Sequence, residues 1–194
     1  VSFFVDIKNG TLVNDSLDVV YAEQTHREFV AGVNDGIIDT DVTKHAYKIT
    51  GTQTGLIRPK KACAIKDTLK YTYEVEQAML VTVGKMFPTE GKLKVKVDNM
   101  QPANNFTLTF KGEDSTIAGQ YKAEINYMGA IIPLVMSKNG SYPILSQIDL
   151  SGMSTEDVIL IVEFASSAFI FFFPDCKHKS CFDSIGTSLC ELLT

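Results

Sequence analysis

STEDVILIVEFASSAFIFFFP, Ser154 to Pro174, is the stretch around which the rest of the chain has to be built. Between Val158 and Phe173 it carries one charge, Glu163, and two hydroxyls, Ser166 and Ser167, and is otherwise apolar. Ser154 suits a helix N-cap, Glu156 and Asp157 lie where the helix dipole favours acids, and Pro174 stops the run. The stretch therefore predicts a helix with no wettable face, to be covered by the chain, a ligand or a membrane. As a span it is short. About 16 residues at ~1.5 Å rise cover ~24 Å, against ~30 Å of hydrocarbon core. Glu163 lies inside it and a polar, cysteine-bearing tail follows, so a core helix without transmembrane anchoring is expected. No glycolipid-anchor signal is expected, because the apolar part is followed by a polar stretch.

Covering such a helix is within reach of 194 residues in a single domain, 1–194, which suffice for one large core. Hydrophobic residues make up 45% and charged ones 21%, an ordinary globular balance with no low-complexity linker. A net charge of −5 disfavours nucleic acid, because no basic field would release phosphate counterions. The local run Arg58-Pro59-Lys60-Lys61 reads as a solvated turn.

The chain begins at Val1 rather than Met, as a matured product would after loss of a signal peptide. Sequons start at Asn9, Asn14, Asn105 and Asn139, and the four cysteines are an even number. Together they predict a secreted, extracellular glycoprotein with disulfides drawn from Cys63, Cys176, Cys181 and Cys190. Cys63 is expected to tie the tail to the body, with its partner left open. Cys176, His178 and Cys181 offer three possible metal ligands, but the spacing is not a usual zinc one, so no metal and no cofactor are expected.

Along the chain, Ser2 to Ile7 reads as a short strand or an extended lead-in. After Ser16 as N-cap, Val19, Ala22, His26, Phe29, Val30 and Val33 recur at spacings of three and four, predicting an amphipathic helix over about 17–34. His26 falls on its apolar stripe as a partly buried histidine, and Asn34-Asp35-Gly36 ends it. The period then becomes two. Ala46 to Thr50 reads as a strand, followed by Gly51 to Gly55 and the basic turn, with Ala62 to Asp67 extended. Leu69, Tyr71, Tyr73 and Val75 alternate with polar residues, and Met79 to Val83 is a further apolar run before a turn over Gly84 to Gly91. Leu93, Val95 and Val97, then Phe106, Leu108 and Phe110, then Tyr121, Ala123, Ile125 and Tyr127 continue the alternation. Ala130 to Met136 and Ile144 to Leu150 complete the set. Short polar connections make an antiparallel meander the simplest topology. Lys92, Lys94 and Lys96 are its wet face.

The expected class is therefore α+β: a curved antiparallel sheet around a long apolar C-terminal helix, with an N-terminal amphipathic helix. Phe164, Phe169 and Phe172, with Phe171 and Phe173, crowd that helix, and Tyr71, Tyr73, Phe106, Phe110, Tyr121 and Tyr127 face it from the sheet. These aromatics would line an internal cavity for a lipid or other apolar small molecule. The alternative is an extracellular structural, adhesion or allergen-like interaction protein with a filled core. An enzyme is not expected: three histidines lie away from triad-like company, and no Gly-x-Ser-x-Gly, His-Glu-x-x-His or P-loop occurs. Asp35, Asp39 and Asp41 lack calcium-loop spacing and read as a solvated loop.

The stretch from about Lys44 to Ile125 resembles the arthropod branch of the tubular lipid-binding (TULIP) superfamily, which includes insect takeout and juvenile-hormone-binding proteins and a mite allergen. The cues are a helix ending Glu28-Phe29-Val30-Ala31-Gly32-Val33-Asn34-Asp35-Gly36, a strand leading to Thr54-Gly55-Leu56, and a strand pair with central Asp67 and alternating Leu69 to Val75. A chain reversal over Gly84 to Leu93 follows. The resemblance implies a curved sheet wrapped on a long helix, an elongated apolar tunnel and no catalysis. The insect carriers have an N-terminal disulfide, whereas no cysteine precedes Cys63 here, so hormone specificity and individual ligand contacts do not carry over.

Overall fold

The computed structural model describes residues 1–13, 17–60, 68–85, 87–98, 105–137, 140–144 and 161. The strands are β1 (Ser2–Val13), β2 (Leu17–Ala31), β3 (Val33–Asn34), β4 (Ile37–Ile38), β5 (Ala46–Pro59), β6 (Leu69–Thr82), β7 (Glu90–Asp98), β8 (Asn105–Glu113), β9 (Tyr121–Tyr127), β10 (Ala130–Ser137) and β11 (Gly140–Pro143). Nine of them form one antiparallel sheet in the order β1-β2-β5-β6-β7-β8-β9-β10-β11, and β3 with β4 makes a separate small hairpin. Each strand of the large sheet lies beside its neighbour in sequence within that sheet, the meander that short connections favour.

Alternation makes this sheet one-sided. In β7, Leu93, Val95 and Val97 are buried while Lys94 and Lys96 are exposed. Phe106, Leu108 and Phe110 of β8, and Tyr121, Ala123, Ile125 and Tyr127 of β9, repeat the pattern. Directly paired residues such as Val95 with Phe106, and Leu108 with Ile125, share a face, so the buried sets fuse into one core cluster. The lysines of β7 lie on the opposite, wet face, where Lys92 pairs with Glu76 at 2.9 Å.

The α+β expectation is overturned. Among the described residues helical backbone occurs only at the 3-10 turn Val42–Lys44 and at Ile161. The amphipathic helix expected over about 17–34 is instead β2 and β3. Val19, Val20, Tyr21, Thr25, Phe29 and Val30 are β-branched or aromatic, types that fit a pleated surface better than a helix. β2 is paired along its length on both sides, from Ser2↔Glu28 to Val13↔Asp18 with β1 and from Leu17↔Pro59 to Ala31↔Ala46 with β5. These ladders outweigh a helical spacing that arose from both faces of one strand. His26 accordingly stacks on Phe4 at 4.6 Å, on the face away from the buried Thr25 and Arg27. Asn34-Asp35-Gly36 does not end a helix. Asp35 (φ 50°) and Gly36 (φ 79°) form the left-handed pair of a two-residue hairpin between β3 and β4.

Smaller corrections follow the same line. Ser2 to Ile7 extends to Val13, Gly51 to Gly55 lies inside β5, and Met79 to Thr82 belongs to β6. Ala62 to Asp67 and residues 145–150 lie outside the described residues. So does the stretch Ser154 to Pro174 except Ile161, which is fully buried in the core cluster. No helix among the described residues is long and apolar enough to cross a membrane, a statement that does not bear on strands.

The β8–β9 connection is clamped by charge. Asp114 accepts from Thr116 N at 2.7 Å and Thr116 Oγ1 at 2.6 Å, and pairs with Lys122 at 2.8 Å. Lys85 binds Glu113 alongside. The Lys122 ammonium, then the Thr116 hydrogen bonds, hold the Asp114 carboxyl well below its ordinary value of 3.8. A lowered value means stability fully present above the ordinary value and lost as acid protonates the carboxylate. The stability gap between the wild type and Asp114→Asn is therefore expected to be full above pH 3.8 and to shrink below it. Urea midpoints of the two proteins measured across that range check this, and a gap that does not change with pH counts against it.

Candidate ligand-binding face and a buried polar cluster

The structure brings together the sheet aromatics that the sequence singles out. Tyr71, Tyr73, Phe106, Phe110, Tyr121 and Tyr127 all lie on the buried face, none more than 4% exposed. Tyr71 and Tyr73 have ring centres 4.7 Å apart, and Tyr121 meets Phe87 edge-on at 5.3 Å. A Cβ at Gly55, opposite Tyr71 across β5 and β6, would lie 2.4 Å from that hydroxyl, so the bare glycine makes room for the ring. Burial pushes the Tyr71 hydroxyl well above its ordinary value of 10.0. Phe164, Phe169 and Phe172, all four cysteines and the sequons at Asn14 and Asn139 lie outside the described residues. Asn9 and Asn105 are exposed on β1 and β8.

A second feature has no counterpart in the sequence reading. On β2, Glu23, Thr25 and Arg27 are buried at 3%, 2% and 7% exposure. Residues two and four apart on a strand share a face, about 13 Å end to end at ~3.3 Å each. Arg27 must therefore lie along the strand to reach Glu23. Its Nη2 donates to Glu23 Oε1 at 3.2 Å, and Thr25 Oγ1 donates to the same oxygen at 2.7 Å. The buried Gln53 stands opposite Glu23, and Ile49 opposite Arg27. The Arg27 guanidinium lies 5.8 Å from the centre of the Tyr47 ring. Phe29 bridges Tyr47 at 6.0 Å and the His45 ring at 5.3 Å, and His45 Nε2 donates to the Asp39 carbonyl at 2.7 Å. Arg27 Nε has no hydrogen-bond partner among the described residues. The Tyr21 hydroxyl is raised first by burial and then by the Glu23 carboxylate.

Sequence reasoning missed this cluster because Glu23 and Arg27 also read as an i,i+4 pair on a helix surface. The signal that could have found it is the alternation Val19, Tyr21, Glu23, Thr25, Arg27, Phe29, with charged residues in the inward register.

Asp39 and Asp41 accept from the backbone N–H of Asp41 and Thr43 at 2.9 and 3.1 Å, and Lys44 pairs with both. They brace the turn into β5; the Asp39 carboxyl is held below its ordinary value first by the Asp41 N–H and then by Lys44, and the Asp41 carboxyl first by the Thr43 hydroxyl and then by the Thr43 N–H. Among the described residues no group of three or more His, Cys, Asp or Glu could hold a metal ion.

Fold and site define a meander sheet of nine strands with one aromatic-rich buried face and a charged pair embedded at its β2 end. No family model matches the chain, and no curated protein or solved structure matches it significantly.

Proposed function

We propose that the protein is a secreted, glycosylated carrier that binds a lipid or other apolar small molecule against the buried aromatic face of its sheet. The observation that carries this reading is the convergence of six tyrosines and phenylalanines from β6, β8 and β9 on one face that also holds a few placed polar groups. Apolar walls with sparse polar groups are the usual make-up of small-molecule sites. The exposed sequons at Asn9 and Asn105 support passage through the secretory pathway. The tubular lipid-binding likeness points to the same ligand class through the tunnel it implies, although its first cue, a helix closing at Gly36, is a strand and hairpin here.

Organic-solvent extraction of the natively purified protein, followed by mass spectrometry, is expected to release a stoichiometric apolar compound. An empty extract, together with no enhancement of a fluorescent apolar probe, would overturn the reading. It would favour an extracellular interaction protein instead. That second reading has its own support in strand β1, where Phe4 is 81% and Val13 65% exposed beside a ladder edge that has no partner strand among the described residues.

A further inference from the structure

We infer that the Glu23–Thr25–Arg27 cluster is the polar-head subsite of this ligand, and that it takes a neutral oxygen acceptor (an ester or ketone carbonyl, or a hydroxyl) in preference to a carboxylate. The inference rests on the proposed function and adds the chemistry of the ligand's polar end.

Arg27 is only 7% exposed, and its fork of donors is incompletely used: Nη2 is engaged by Glu23, while Nε has no partner among the described residues. A buried donor on a charged group left without an acceptor is costly, and a ligand oxygen removes that cost. Charge then selects the kind of oxygen. Glu23 and Arg27 already cancel at 3.2 Å, with Thr25 spent on the same carboxylate oxygen. A carboxylate head would bring an uncompensated negative charge into this enclosed site beside Glu23, whereas a neutral carbonyl or hydroxyl adds none. An alkane would leave Nε bare.

Position favours a head group as well. Arg27 pairs with Ile49, and Ile49 with Met79, so the cluster is continuous with the apolar face. A molecule anchored at β2 has its body over β6, two strand spacings or about 10 Å away, and β8, four spacings or about 19 Å. The flanking Val5 and Ile7 of edge strand β1 are only half-buried, which places the polar end near the rim of the sheet.

The test is displacement of phenylnaphthylamine, a neutral apolar fluorophore, by a methyl ester, an alcohol, a carboxylate and an alkane of one chain length. In the wild type, ester and alcohol are expected to compete about tenfold or more better than carboxylate and alkane, the scale of a hydrogen bond from a charged donor. The Glu23→Leu/Arg27→Met double variant, which leaves no orphaned charge, should rank ester and alkane together, the ranking being read as the ratio of their competition against the fluorophore within that variant. Glu23→Gln, which leaves Arg27 the sole charge of the pair, should shift preference towards the carboxylate. Unchanged ranking in both variants, or a wild type that binds the fluorophore but ranks all four alike, overturns the subsite and leaves the carrier reading standing. No binding of the fluorophore or any competitor by the wild type removes the carrier reading itself, and the subsite with it.

Discussion

Glu23→Ala and Arg27→Ala are each expected to lower the unfolding free energy by about 3–5 kcal/mol, the range for breaking a buried ion pair from one side. The side chains are 3% and 9% exposed, so neither can recover much water when its partner goes. Removing Arg27 leaves Glu23 with Thr25 as its hydrogen-bond donor, and removing Glu23 leaves an uncompensated guanidinium over Tyr47. Replacing both at once is expected to behave differently. Glu23→Leu/Arg27→Met trades the pair for apolar volume on a face that already holds Val19 and Ile49, and should match or exceed the wild type by up to about 4 kcal/mol. Denaturant midpoints at constant m decide the matter. Singles that lose less than about 1 kcal/mol, as exposed pairs do, would show that the pair is solvated in solution. The contrast also bears on function, since a pair that the fold would be more stable without has a reason to be kept other than stability.

Gly51→Ala is expected to be comparably damaging, for a steric reason. Gly51 has φ +122°, a conformation that L side chains rarely adopt and that costs of the order of 1–3 kcal/mol by itself. An added Cβ would also lie 2.2 Å from the Gln24 carbonyl oxygen and 2.8 Å from Thr25 Cα, backbone atoms that can yield only if β2 and β5 part. The residue sits at the register shift between Ile49 and Thr52, directly opposite Thr25. Loosening it therefore also disturbs the polar cluster. A loss of about 3 kcal/mol or more is expected, with a weakened preference among head groups. Gly36→Ala is the control: φ is +79° in the hairpin turn, but nothing lies within 4 Å of the new carbon, so only the left-handed cost of about 1–2 kcal/mol applies. Equal losses at both positions would show that the overlap at Gly51 relaxes freely.

The strands that sequence alone makes legible are those whose inner residues are uniformly apolar. Leu93, Val95 and Val97, or Phe106, Leu108 and Phe110, repeat every second residue against lysine and threonine, and only a half-buried strand wants that pattern. Their short connections carry the meander with them. β2 defeats the same reasoning because its inner face holds Glu23, Thr25 and Arg27 among Val19, Tyr21 and Phe29, so polar residues sit where the alternation should be apolar. Val19, Ala22, His26 and Phe29, taken from both faces, then counterfeit a helical stripe. Local spacing contained both answers, and the ladders to β1 and β5 chose between them.

Composition and alternation by themselves determined an antiparallel sheet with one buried aromatic face, because side-chain sidedness on a strand is a property of neighbouring residues. The tertiary structure alone decided that residues 17–34 are strand and hairpin, and that a charged pair lies inside with a donor that has no partner among the described residues. Those outcomes depend on ladder partners that lie from five residues (Val13 with Asp18) to forty-two residues (Leu17 with Pro59) away in sequence, and on burial that makes an unpaired charge costly only once the sheet has formed.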